Sequence, residues 1–199
     1  RNTLMNRPVD DIDIATLWTP DDVTKKLTAA GIRVIPTGIE HGTVTAVADG
    51  RPFEITTLRR DVSTDGRRAV VAFTKAWAED ARRRDFTLNT LLADGAGNVF
   101  DPTGRGLSDL KAGRVVFVGE AAQRIAEDYL RILRFFRFHA TYGSGLPDPS
   151  ALAACKVAAE KIGALSRERI TQEFFKILSL ENPDKTLKVM FENKVLSDA

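Results

Sequence analysis

Asp10-Asp11-Ile12-Asp13-Ile14-Ala15-Thr16 is the stretch on which the reading of this chain turns. Side chains two apart on a strand point to the same face. If Ile12-Asp13-Ile14 is a strand, Asp11 and Asp13 form a like-charged pair beside buried isoleucines. Such a pair is unfavourable unless a cation sits between the carboxylates. A divalent metal is the obvious candidate. Magnesium suits hard oxygen ligands, taking one or two carboxylates and completing its shell with phosphate oxygens and water. That chemistry points to phosphoryl or nucleotidyl transfer. The bland alternative is an acidic turn entering a strand, and a motif this short cannot displace it alone.

The elements around the acid pair are mixed. Thr19-Pro20-Asp21-Asp22 opens a helix with a hydroxyl cap, proline at the first position and acids in the first turn. Val23, Leu27 and Ala30 follow at helical spacing until Gly31. Ile32 to Ile35 reads as a strand. Thr43 to Val47 and Phe53 to Thr57 alternate around Asp49-Gly50, a hairpin signal. Val70 to Phe73 reads as a short loop-edge segment and Ala76 to Ala93 as helical, best from Asp85 to Leu92. Asn98 to Asp101 is a further strand candidate. From Ala121 strand signals stop. Ala122 to Tyr142 reads as one strong helix with Ile125, Tyr129, Ile132, Leu133 and Phe136 on its apolar side. Helices over 149–164, 167–180 and 183–194 follow. The expected class is α+β: a mixed-sheet head over residues 1–119, then an all-α segment over 120–199.

The 199 residues are 43% hydrophobic with a formal charge of +2, enough for one medium domain or two small ones. Basic residues concentrate at Arg82-Arg83-Arg84 and at Arg131, Arg134 and Arg137, and such clusters matter more for phosphate than the total. The lone Cys155 excludes an internal disulfide and a cysteine-rich zinc site, and a reducing cytoplasm is the expected location. No apolar run approaches membrane-spanning length and no signal peptide is visible. Starting at Arg1 and ending after a helical stretch, the chain is expected to be a fragment.

Three features join the acid pair. Glu54, on an alternating strand, offers a third carboxylate; two metals about 3.5–4 Å apart would activate an attacking hydroxyl and stabilise the leaving pyrophosphate. In Arg83-Arg84-Asp85-Phe86-Thr87-Leu88-Asn89 the adjacent arginines diverge. Arg84, Asp85 and Asn89, four or five apart on a helix, are placed to hold triphosphate and ribose. A solvated basic helix start explains the same residues equally well. The more specific run is Glu127-Asp128-Tyr129-Leu130-Arg131, with Arg134 and Arg137 continuing a three-residue spacing. Asp128 and Arg131, as helix neighbours, would present an acceptor and a donor fork together, as reading a base edge requires. The plainer reading is an i,i+3 ion pair. Arginines interleaved with Phe135, Phe136 and Phe138 argue against a merely solvated face.

In order along the chain these pieces are Arg1-Asn2-Thr3-Leu4, Asp11 to Thr16, Thr37-Gly38-Ile39-Glu40-His41-Gly42-Thr43, Glu54 to Thr57, Arg83 to Asn89, and Glu127-Asp128-x-x-Arg131. Together they resemble the bacterial class II tRNA nucleotidyltransferase and poly(A) polymerase family, within the DNA polymerase β-like nucleotidyltransferase superfamily. The resemblance runs from Arg1 to about Tyr142. It implies a polymerase β-like palm head followed by a helical neck and the start of a body. It also implies that Asp11 and Asp13 bind catalytic Mg2+ with Glu54 as third carboxylate. Arg1 and Arg84 would contact the triphosphate, with Asp85 near the ribose. Asp128 and Arg131 would pair with CTP or ATP and reject GTP and UTP, and Arg134 and Arg137 would add nucleotide or phosphate contacts. His41 would lie in a loop near the site without a proton-transfer role. The chain departs from the family pattern in lacking the paired glycines before Arg1 and in carrying an extra Arg105 in Asp101-Pro102-Thr103-Gly104-Arg105-Gly106.

The implied activity is CCA addition: CMP and then AMP transferred from CTP and ATP to the 3′ end of tRNA by a two-metal displacement. A poly(A) polymerase shares the head, and a split CC-adding or A-adding enzyme stays open. A non-catalytic RNA-binding relative would have lost a metal carboxylate, whereas Asp11, Asp13 and Glu54 are all present. The departures leave the activity of the fragment itself open.

Overall fold

The computed structural model describes residues 1–9, 11–64 and 69–196. Asp10, the first residue of the acidic stretch, lies outside them. By packing, the chain groups into two compact units, one holding Arg1–Thr64 and Ala69–Arg83 and the other running from Arg84 onward.

The first unit is built on a four-stranded sheet. Strands β1 (Asp13–Thr16), β2 (Arg33–Gly38), β3 (Thr43–Ala48) and β4 (Arg51–Thr57) are ordered β1-β4-β3-β2, and helix α1 (Pro20–Ala29) joins the first two. The β1–β4 pair is parallel and the others antiparallel, giving the expected mixed sheet. Thr19 caps α1, its hydroxyl accepting the Asp22 N–H at 3.3 Å. The β3–β4 turn uses Asp49 and Gly50, both at positive φ (50° and 73°), the conformation a two-residue hairpin with native twist demands. Val44, Ala46 and Ile55 on one sheet face meet Val23 of α1, with Leu27, Ile32 and Val34 packed against them.

The isoleucines of the acidic stretch are not buried. Ile12 and Ile14 are 59% and 40% exposed. The reason is position: the strand begins only at Asp13, and β1 lies at the sheet edge with β4 as its single neighbour. Residues 70–73 belong to a strand rather than a loop edge, because β5 (Arg59–Thr64) pairs antiparallel with β6 (Ala69–Phe73). Helix α2 (Trp77–Arg82) is shorter than the expected 76–93 helix.

In the second unit the stretch after Arg84 is not an α-helix. Phe86 is extended and bridges Phe117, and a 3-10 turn follows over Thr87–Asn89. Threonine, asparagine and aspartate here bond locally instead of continuing a helix. Thr90 Oγ1 donates to the Thr87 carbonyl and Asp85 Oδ1 accepts the Phe86 N–H. A small hairpin of β7 (Leu92–Ala93) and β8 (Val99–Phe100) and helix α3 (Gly106–Lys111) come next.

The expected single helix over 122–142 is two: α4 (Ala121–Glu127) and α5 (Leu130–Tyr142). Asp128 is extended (φ −158°, ψ 105°), and its carboxylate takes the Leu130 N–H at 3.1 Å, an Asx turn that opens α5. Helices α6 (Pro149–Ala158), α7 (Arg167–Leu178) and α8 (Pro183–Glu192) complete the helical part. Its core is aromatic. Phe86 lies 4.8 Å from Phe117 and 5.1 Å from Phe138, ring centre to ring centre, with Phe135 stacked on Phe117 at 5.8 Å. Cys155 of α6 is fully buried, and burial pushes its thiol up to about 12, so it is inert.

Candidate active site

Strand register brings two acids together. Asp13 of β1 and Glu54 of β4 are direct partners in the parallel pair. Partnered residues on neighbouring strands share a face, with backbones about 4.8 Å apart. Glu54 is also the partner of Thr45 on β3. The face carrying Asp13, Glu54 and Thr45 is opposite the one that packs on α1, because Ile14, Val44 and Ile55 alternate with them. Both carboxylates are exposed. Threonines line the rest of this face: Thr37 and Thr45 share a hydrogen bond of 2.8 Å, and Thr43 and Thr56 one of 3.0 Å.

Asp11 precedes β1, two residues before Asp13, and is exposed. Among the described residues no group of three or more histidine, cysteine, aspartate or glutamate side chains is gathered closely enough to hold a metal. The expected triad is therefore present as a register pair with Asp11 beyond the strand end. The pair still fits a hard cation. It offers oxygen donors on a rigid sheet, open on one side, and magnesium takes one or two carboxylates and leaves other positions to water and phosphate. Arg1, the other candidate in this unit, is exposed ahead of a 3-10 turn at Thr3–Met5.

In the second unit Asp85 is the centre of a tight network. Its Oδ1 accepts the Phe86 N–H (2.9 Å) and Asn89 Nδ2 (2.8 Å). Its Oδ2 accepts Arg134 Nε at 2.8 Å and the guanidinium NH2 at 2.7 Å. Burial pushes this carboxyl up, but the charge of Arg134 and the hydrogen bonds from Asn89, Arg134 and Phe86 outweigh it and hold it below the usual carboxylate range. Arg84 donates to the Asn89 carbonyl at 3.0 Å. Arg84, Asp85 and Asn89 thus do cluster, through a 3-10 turn and not the expected helix. Thr87 anchors that turn from below, its hydroxyl donating to the fully buried Asp109 (2.8 Å), which Arg114 also holds at 2.8 Å.

Asp128 and Arg131 are not a side-chain pair. Each turns to a different partner because the helix breaks between them. Asp128 Oδ1 takes the Leu130 N–H and Oδ2 takes Arg169 of α7 at 2.8 Å. Arg131 reaches back to Glu127 Oε2 (2.7 Å) and to the Arg124 carbonyl (2.8 Å). The arginine–phenylalanine interleaving also resolves. Phe135, Phe136 and Phe138 face the core, while Arg134 and Arg137 lie 5.1 and 4.6 Å from the Phe138 ring. Arg137 pairs with the buried Glu173 of α7. Glu173 and Arg169, distant in sequence, carried no local signal of these contacts.

The family model described as "Poly A polymerase head domain" matches residues 1–116. The chain belongs to this family. A second model, "Probable RNA and SrmB- binding site of polymerase A", matches residues 147–198. Among curated relatives, the human mitochondrial CCA tRNA nucleotidyltransferase 1 is 47% identical over 181 residues, covering 89% of this chain and 42% of the relative. The CCA-adding enzyme of Bacillus cytotoxicus is 36% identical over 197 residues, covering 98% of this chain and 48% of the relative. The chain therefore spans about half the length of the curated relatives it matches. Among solved structures, the Bacillus stearothermophilus CCA-adding enzyme in complex with CTP superposes with a TM-score of 0.86 at 32% identity. That match covers 98% of this chain and 46% of the other. The resemblance carried by the six ordered motifs is borne out, as is the nucleotidyltransferase fold. No helix among the described residues is long and apolar enough to cross a membrane.

Proposed function

We propose that the protein is a CCA-adding tRNA nucleotidyltransferase, transferring CMP and then AMP from CTP and ATP to the 3′ end of tRNA. The observation that carries the reading is the direct register of Asp13 with Glu54 on an open sheet face, in a chain whose relatives are named for CCA addition. Asp13, Glu54 and Asp11 are the residues that would hold Mg2+. Bound there, magnesium would neutralise phosphate charge and lower the cost of ionising the attacking hydroxyl. The protein's own part is positioning and charge stabilisation. Arg1 and Arg84 serve the triphosphate. Asp85, kept ionised by Arg134, serves the ribose through the Asn89 amide that it fixes. Asp128 and Arg131 read the base edge, and Asn89, Arg134 and Arg137 hold those groups or the nucleotide. Arg134 and Arg137 act chiefly as struts in this reading, since each is committed to an acid. The proposed location is cytoplasmic; the mitochondrial names among the relatives make an organelle the alternative outcome of a fractionation experiment.

The test is product length. The intact protein is given magnesium, CTP, ATP and a tRNA lacking its last three nucleotides. Addition of three nucleotides, and no more, supports the reading. A long adenylate tract indicates the poly(A) polymerase that shares this head, and binding without incorporation indicates a non-catalytic RNA-binding relative.

A further inference from the structure

We propose that Arg124 is a positioning residue for Arg131: acting through Glu127, it sets the direction in which Arg131 presents its guanidinium, and so helps decide which base is accepted. The inference rests on the base-reading role given to Arg131 above.

The geometry lies across the helix break. Glu127, the last residue of α4, divides its two carboxylate oxygens between two arginines. Oε1 goes to the Arg124 guanidinium and Oε2 to that of Arg131. Arg131 also donates to the Arg124 carbonyl at 2.8 Å. That carbonyl sits in the last turn of α4, where side-chain donors commonly cap helix carbonyls. Arg131 therefore closes the C-terminus of α4 as well as pairing with Glu127. The three side chains are only 13%, 17% and 14% exposed for Arg124, Glu127 and Arg131, so water screens them little.

Glu127 is pulled in opposite directions and gives each arginine one oxygen. Arginine and carboxylate left to themselves prefer two parallel bonds. Removing the Arg124 guanidinium frees Oε1 in a site poor in water. Glu127 then rotates to close both oxygens on Arg131, which swings the fork and cancels more of its charge. The Arg124 carbonyl remains in any side-chain variant, so substitution there isolates the guanidinium's part. A simple i,i+3 pair that only stiffens α4 would weaken every nucleotide alike.

The test uses the intact protein with tRNA lacking its 3′ end. For R124M, R124K, R131A and R124M/R131A, kcat/KM is measured with CTP and with UTP, alongside CTP affinity and melting temperature. R124M is expected to lower CTP-over-UTP discrimination by roughly tenfold, the worth of about one charge-assisted hydrogen bond. CTP affinity should change less than the discrimination does. R124K, which keeps a cation on Oε1, should restore most of it. R131A should abolish discrimination, and adding R124M to R131A should change nothing more. Equal loss for both nucleotides in R124M, or independent effects in the double variant, overturns the positioning role. If R131A itself leaves discrimination intact, the base-reading assignment fails, and this inference with it. If R131A abolishes discrimination and R124M does not alter it, only the inference fails.

Discussion

Replacing Arg134 by methionine removes the charge that holds Asp85 while keeping most of the side chain against Phe138. The Asp85 carboxylate is 8% exposed and loses two charge-assisted contacts, at 2.8 and 2.7 Å, on Oδ2. Oδ1 keeps Asn89 and the Phe86 N–H. Removing one partner of a buried pair costs ~3–5 kcal/mol. Because Arg134 is 29% exposed and water can reach Oδ2 in its absence, the cost falls below that range, to about 2–3 kcal/mol. The pH dependence gives a sharper signature. In the native protein the Asp85 carboxyl is held below its ordinary value. Its contribution is present above the unfolded-state carboxyl range and lost as pH falls through the lowered folded value. Without Arg134 the carboxyl rises from that lowered value, so this pH-dependent contribution shrinks in the variant. The gap between the two proteins should be narrow near pH ~4 and widest near pH ~7. Urea unfolding across that range measures it. A gap below about 0.5 kcal/mol at neutral pH, the size of an ordinary surface change, would refute the reasoning, as would a gap that does not depend on pH.

Gly106→Ala would place a Cβ 2.6 Å from the Thr87 carbonyl oxygen and 2.9 Å from Leu91; a loss of about 1–3 kcal/mol is expected in thermal unfolding, and an unchanged melting temperature would contradict it. His139 is lowered by burial, only partly offset by a hydrogen bond with the Gly145 backbone. The stability this gives is full above about pH 6.5 and is lost as pH falls through the lowered folded value. His139→Phe should therefore flatten the acid side of the stability profile, and an unaltered profile would count against a neutral buried imidazole.

The parts of the fold legible in sequence were those set by local chemistry. Thr19-Pro20 and Asp49-Gly50 marked a cap and a turn that need no distant partner. The strand alternation around Glu54 placed it on a face, and parallel pairing with β1 made it the neighbour of Asp13. What the sequence did not reveal depends on residues far away. The apolar content of 122–142 suits one helix, but the Asp128 carboxylate bonds its own backbone at Leu130 and takes Arg169, 41 residues on. Likewise Asp85 to Leu92 has helical spacing, yet Phe86 gains more by bridging Phe117 in an aromatic core. The arginine spacing after Asp128 is unusual for a solvated face. Its cause is pairing with Glu127, Asp85 and Glu173, which no local pattern announces. Ile12 and Ile14 have the pattern of buried residues beside an acid, yet an edge strand leaves them open.

Asp13→Ala, assayed in the intact protein by single-turnover incorporation of CMP into a tRNA lacking its 3′ end, addresses the carboxylate pair most directly. Incorporation should fall by several orders of magnitude with magnesium present, while tRNA affinity stays within about threefold, because this acid serves metal and phosphate chemistry and not RNA binding. Incorporation at a near-normal rate, or loss of tRNA binding in step with loss of turnover, would contradict the assignment.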